Sequence, residues 1–311
     1  MAGNVLQLAG VYWDLGWHHS RLRDTFWSPP HLAIYSGVAL ALLAAAAGLL
    51  ADGKTTQRTR GGAFLRAYRV ALAGPMIQVA AAPIDELWHR VIGPDVSVWS
   101  PPHLLGILGG LVGAMGWILV LAPSSGTGHR DRLTTILTCA FAVFLLAGAL
   151  IALGEYDHDQ TVREPWLYPG LTALLSTCVL LAARSLLRWT WGATLVATAY
   201  TVLRLTLAAG VWAMGFPWMG VPPLILGSAI VVDLLSDRIG PGKAGAVCGI
   251  AFTVSDYPLT YLVSGRAWSA FEWVGSLLLA AVAGWLGAGI MAGGRWCERT
   301  APGRPDPRSG P

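Results

Sequence analysis

A helix that crosses a bilayer needs about 20 consecutive, mostly apolar residues. This chain of 311 residues offers nine such stretches, near 31–51, 68–91, 101–122, 133–153, 167–187, 189–209, 218–235, 244–264 and 271–292. A shorter apolar stretch, 3–19, precedes them and reads as a short or partly inserted helix. Lipid offers the backbone no hydrogen-bond partners, so the spanning solutions are helices and closed barrels. Stretches this long predict helices. The expected fold class is an all-α membrane protein, a polytopic bundle of nine or ten helices built from repeated helical hairpins. Composition agrees: charged residues are 12% of the chain, about half the ~25% of a soluble protein. Gly106, Gly109, Gly110, Gly113 and Gly116 allow close helix contact. Residues 1–293 are read as one transmembrane domain and 294–311 as a basic, Pro/Gly-rich tail. No removable signal peptide is read at the N-terminus, which lacks a basic region and a small-residue cleavage site. Cys139, Cys178, Cys248 and Cys297 form no CxxC pair. A disulfide framework or thiolate zinc site is not expected.

Charge orients the bundle. Connections 52–69, 124–132, 184–188, 236–243 and the tail, with their flanks, carry 15 of the 21 basic residues and 5 of the 17 acidic ones. The alternating connections, counted with the helix ends from Asp14 and Asp85 and on to Glu272, carry 5 basic and 10 acidic residues. Basic loops stay in the cytoplasm, so the first set and the C-terminus are expected inside a bacterial inner (plasma) membrane. The second set then faces the periplasm or exterior. Ten of the 15 tryptophans fall near that outer rim, as an interfacial belt would place them. So do six of the seven histidines: His18, His19, His31, His89, His103 and His158. His129 is left inside as a solvated loop residue.

The rim carries an internal repeat. Residues 13–32 read WDLGWHHSRLRDTFWSPPHL, and 84–104 read IDELWHRVIGPDVSVWSPPHL. Ten positions agree: Asp14/Asp85, Trp17/Trp88, His18/His89, Asp24/Asp95, Trp27/Trp99, Ser28/Ser100, Pro29/Pro101, Pro30/Pro102, His31/His103 and Leu32/Leu104. The copies lie 71 residues apart, with one residue inserted in the second. They make hairpins 3–51 and 68–122 a duplicated, ligand-bearing pair. Decayed traces follow at 154–171 and 217–224, which keep Trp166 and Pro169, then Trp218 and its prolines, without the final His. Glu155, Asp157, His158 and Asp159 read first as an acidic solvated loop, with a weaker site as the alternative.

Asp14 and His18, like Asp85 and His89, are four residues apart, which stacks their side chains on one helix face. The chain then re-enters the apolar region at Ser-Pro-Pro-His. Ser28 and Ser100 suit the N-cap, and Pro29 and Pro101 the first helical position. His31 and His103 are thereby fixed on the first turn of the next helix, level with the Asp and His before them. Two sets of metal ligands are expected: Asp14, His18 and His31; Asp85, His89 and His103. One carboxylate and two imidazoles can hold copper(II), zinc(II) or non-haem iron(II). Three protein ligands leave a position open for an oxidant or substrate. A lone His at a helix end is more often hydrogen-bonded than metal-bound; duplication of all three ligands on one face favours the metal. Charged residues inside apolar spans need partners. Arg204 and Asp256 are expected to pair, and Asp233 to reach the interface.

The spacing Asp-x3-His-x12-His at 14–31 resembles the copper-ligand motif of the C subunit of particulate methane monooxygenase and ammonia monooxygenase. The set at 85–103 resembles that subunit's second triplet, with Asp85 standing where the family has an amide. The likeness covers about a third of the chain. It implies a copper-dependent membrane monooxygenase, or its metal-binding subunit, in which Asp14, His18 and His31 form the catalytic set. O2 and a small, largely apolar substrate would be its reactants, and membrane lipid and further monooxygenase subunits its partners. Nucleic acid is not expected. The competing expectation is a non-catalytic copper-binding, storage or uptake protein.

Overall fold

A computed structural model describes residues 1–20, 25–54, 61–93, 98–121, 132–158 and 163–293. Asp24, Asp95, His129, Asp159, Cys297 and the tail 294–311 lie outside the described residues, as do the side chains of Asp157 and His158. The described chain is all helical: α1 (Ala2–Ser20), α2 (Pro29–Lys54), α3 (Gly61–Val91), α4 (Pro101–Leu121), α5 (Arg132–Ile151), α6 (Gly154–His158), α7 (Leu167–Leu187), α8 (Gly192–Ala213), α9 (Leu226–Ile239), α10 (Pro241–Ser264) and α11 (Ala270–Gly293). Eight of these, α2–α5, α7, α8, α10 and α11, are long and apolar enough to cross a membrane. The chain is therefore a polytopic helical membrane protein.

The stretch 3–19 is a full helix, α1, and not one of the eight. One of the nine expected spans changes. The stretch 218–235 is not one helix. Met214 to Leu224 runs without helix, with Gly215 and Gly220 at positive φ and Pro222–Pro223 lacking N–H donors, and α9 has only 14 residues. Irregular backbone in an apolar bundle needs protein partners, and buried charges provide them. The Arg204 guanidinium donates to the Met219 carbonyl at 2.8 Å and Arg163 to the Val221 carbonyl at 2.8 Å. The Leu224 N–H donates to the Asp256 carboxylate at 2.8 Å. The expected Arg204–Asp256 pair is thus replaced. Asp256 faces Arg163 at 3.7 Å and accepts from the Tyr168 and Thr260 hydroxyls. Arg204 lies over the Tyr12 ring, 4.4 Å from its centroid. The reason is the α8–α9 connection, whose carbonyls accept from both arginines.

Asp233 is buried rather than interfacial. Its carboxylate accepts the Ala193 and Thr194 N–H groups at 3.2 and 2.8 Å, closing the N-terminus of α8 from α9. Ser269 and Glu272 start α11 with a reciprocal capping box. Glu164 accepts the first N–H groups of α7, from Leu167 and Tyr168. Beside it, burial, followed by the Glu164 charge, pushes the Tyr156 phenol up to about 12.

Packing centres on α5 and α7, where Leu146, Leu150, Leu180 and Ala183 have almost no exposed surface. Small residues bring helices together elsewhere. A Cβ on Gly249 of α10 would overlap the Ala280 carbonyl of α11, whereas one on Gly289 would meet nothing. Over-packing of this kind costs about 1–3 kcal/mol or more, while Gly→Ala in an open helix interior gains up to about 1 kcal/mol. Gly249→Ala is expected to lower the thermal midpoint in detergent, and Gly289→Ala to leave it unchanged or raise it.

Candidate metal centre

The two ligand-bearing hairpins, α1–α2 and α3–α4, present their connections at one end of the bundle. In the first, α1 carries Asp14 and His18 one turn apart and α2 opens with Pro29, Pro30 and His31. Asp14 Oδ2 stands 3.6 Å from His18 Nε2, and Asp14 Oδ1 stands 3.4 Å from His31 Nε2. In the second hairpin, Asp85 Oδ2 and Oδ1 stand 3.4 Å from His89 Nε2 and 3.4 Å from His103 Nε2. In each set one atom from every ligand lies within 4.8 Å of the others. All six residues singled out in the sequence are brought together, three and three. Among the described residues no third group of this kind forms. His19 is exposed at the end of α1 and belongs to neither set.

With one atom taken from each residue, either set is compact enough to surround an ion. The closest contacts use a different carboxylate oxygen for each imidazole and, at 3.4–3.6 Å, lie beyond the ~2.7–3.2 Å of hydrogen-bonded N and O. Asp14 Oδ1 is buried and makes no hydrogen bond among the described residues. His31 is held in the orientation a ligand needs: its Nδ1 lies 2.9 Å from the Thr25 carbonyl, so Nδ1–H donates there and Nε2 faces Asp14. Such an outer contact fixes both tautomer and ring direction. The His31 ring also lies 5.8 Å from Tyr35, which packs on Phe26 at 5.0 Å. On α1, Trp17 packs against Phe216 at 6.1 Å.

The sets adjoin. The His18 and His103 rings, one from each set, are 6.4 Å apart, as close as His18 is to His31 within a set. They differ in exposure: the His31 side chain is 8% exposed, and those of His89 and His103 are 19% and 24%.

Ser28 and Ser100 hold the N-cap positions through their carbonyls, which accept from Leu32 and Leu104 at 3.0 Å. Their hydroxyls are buried and make no hydrogen bond among the described residues, so the expected side-chain cap is absent. The second proline, Pro30 or Pro102, removes one of the two N–H groups such a hydroxyl would reach, leaving that of His31 or His103. The traces at 154–171 and 217–224 assemble no ligand set among the described residues. Glu155 instead accepts the Val98 N–H at 2.5 Å, and the Trp99 indole donates to the Ala152 carbonyl at 2.7 Å. The acidic turn therefore braces the connection that leads to His103.

Sequence reasoning missed Gln7 and Gln78, which meet at 2.9 Å. They are 71 residues apart, each seven before its Asp. Both lie upstream of the ten matched positions, and the 71-residue spacing of the repeat continues back to them.

The chain matches no protein-family model, no curated protein and no solved structure.

Proposed function

We infer that the chain is a copper-dependent membrane monooxygenase, or the metal-binding subunit of one, oxidising a small, largely apolar substrate with O2. The observation that carries this reading is the pair of adjoining Asp/His/His sets, each with one ligand atom per residue within 4.8 Å of the others. Their sequence spacing supports it through its resemblance to the copper triplets of the C subunit. Asp14, His18 and His31 are assigned the catalytic ion; Asp85, His89 and His103 hold a second ion or support the first. Copper, when bound, would supply one-electron chemistry and an open coordination position for the oxidant. The protein's part is to aim the ligands and keep the site dry. Asp14 presents both carboxylate oxygens, one to each imidazole, and the Thr25 carbonyl orients His31. Tyr35 and Phe26 cover the His31 side with aromatic surface that repels water and accepts an apolar reactant. The duplication of the hairpins and the distribution of Lys and Arg belong to the same reading, with the sites at the periplasmic rim and the C-terminus cytoplasmic.

The greater exposure of the second set favours the competing reading, a non-catalytic copper-binding, storage or uptake protein. Metal analysis and EPR of the purified protein, with O2-dependent product formation under an added reductant, separate the two. The oxygenase reading expects bound copper and product. Copper uptake into proteoliposomes without O2 consumption would replace it with the second.

A further inference from the structure

The two hairpins repeat more than their ligands. In the first, a Cβ on Gly3 would stand 2.7 Å from the Gly37 carbonyl, and one on Gly37 would stand 2.7 Å from Gln7 Cγ. In the second, a Cβ on Gly74 would stand 2.6 Å from the Gly109 carbonyl, and one on Gly109 would stand 2.7 Å from Gln78 Cγ. Each helix pair is thus closed by the same two glycines, and in each the second glycine leaves room for the stem of a glutamine. The glutamines then meet each other: Gln78 Nε2 donates to Gln7 Oε1 at 2.9 Å and to the Gly106 carbonyl of α4 at 3.3 Å. One amide pair ties α1 to α3 and α4.

We propose that Gln7 and Gln78 are positioning residues that lock the two ligand-bearing hairpins in register and so set the separation of the two ions. The inference rests on the metal reading above. Its physical basis is the cost of a buried amide without a partner, about 1–3 kcal/mol, in surroundings where apolar packing alone tolerates sliding. Gln7 is 9% exposed. Seven residues separate each glutamine from its Asp, two helical turns or about 10.5 Å. A shift of α1 against α4 at the glutamines is carried along α1 to His18 and along α4 from Gly106 to His103, whose rings face each other at 6.4 Å. The ligands within one set sit on one hairpin, so such a shift leaves each set whole and changes only the spacing between them.

That asymmetry is the test. The readout is the magnetic coupling between two copper(II) ions, seen as the half-field EPR line, alongside copper content. The full-length protein loaded with copper is compared with Gln7→Met, Gln78→Met and the double variant. The double variant removes both amides together and leaves no unpaired group, so it keeps folding where a single change fails. The expected result is two coppers per chain in wild type and double variant, with loss of most of the half-field intensity in the variant. The single variants are expected to lose as much as the double, because either change breaks the same bond. Two coppers with unchanged coupling in the double variant would overturn the clasp while leaving the metal sites standing. Wild type without copper would instead overturn the metal reading on which it rests.

Discussion

His31→Ala is expected to remove one of two bound coppers and abolish O2-dependent product formation, with the second copper retained. Three features of His31 make the effect large. It is the least exposed ligand histidine, at 8% of its side-chain surface. Its Nε2 faces Asp14 Oδ1 at 3.4 Å, and the Thr25 carbonyl fixes its tautomer. It is also the sole ligand that α2 gives to the first set. Losing an outer contact to a metal ligand costs about 10–100-fold in affinity or activity; losing the ligand itself should cost more. His103→Ala is the matched comparison, removing the copper of the second set. If the first set carries the reaction, activity in His103→Ala exceeds that in His31→Ala, although each variant has lost one ion. Copper content by elemental analysis, EPR and product yield are measured on the same preparations. Product formation persisting after both substitutions would reject the oxygenase. Copper bound at 1,000 times its dissociation constant adds about 4 kcal/mol to stability. The thermal shift on copper addition should therefore shrink in each variant and disappear when both are combined.

Asp256→Ala is expected to be the most destabilising single change away from the metal sets, by about 3–5 kcal/mol, the usual cost of removing one partner from a buried ion pair. The carboxylate is 3% exposed and faces Arg163, which is fully buried, at 3.7 Å. It also accepts the Leu224 N–H and the Tyr168 and Thr260 hydroxyls. Alanine removes the carboxylate that faces the buried guanidinium and the acceptor of three donors at once. Asp256→Asn keeps an acceptor and the shape but loses the charge, and should fall between wild type and alanine. In Arg163→Met/Asp256→Leu no charge is left uncompensated, so the double variant should be more stable than Asp256→Ala, though it gives up the clamp on the Val221 carbonyl. Thermal unfolding in detergent reads all four proteins. Equal midpoints for wild type and Asp256→Ala would show that this network carries no stability.

The partners of the buried charges were not legible in the sequence, and the reason is local. Arg204 and Asp256 were paired by depth alone, as two charges in apolar spans. Depth ignores the backbone of Met214 to Leu224, whose prolines and glycines prevent a helix and leave carbonyls and an N–H group that Arg163, Arg204 and Asp256 satisfy. Arg163 lies outside every apolar span, so nothing in its surroundings marked it as the partner of Asp256. Similarly, residue type marks Ser28 and Ser100 as caps, whereas their hydroxyls make no hydrogen bond among the described residues and the second proline of each pair removes one of the two donors within reach.

By itself, the sequence determined that the chain is a helical membrane bundle, because apolar runs of this length leave the backbone no other way to satisfy itself in lipid. It also singles out two groups of three side chains, since helical spacing stacks Asp14 on His18 and Asp85 on His89, and the Pro-Pro starts bring His31 and His103 level with them. Only the tertiary structure decided that the two sets adjoin through His18 and His103, that Gln7 meets Gln78, and which carbonyls hold Arg163 and Arg204. Those contacts join helices whose mutual rotation and depth depend on packing by glycines and small side chains throughout the bundle. No periodicity within a single helix encodes them.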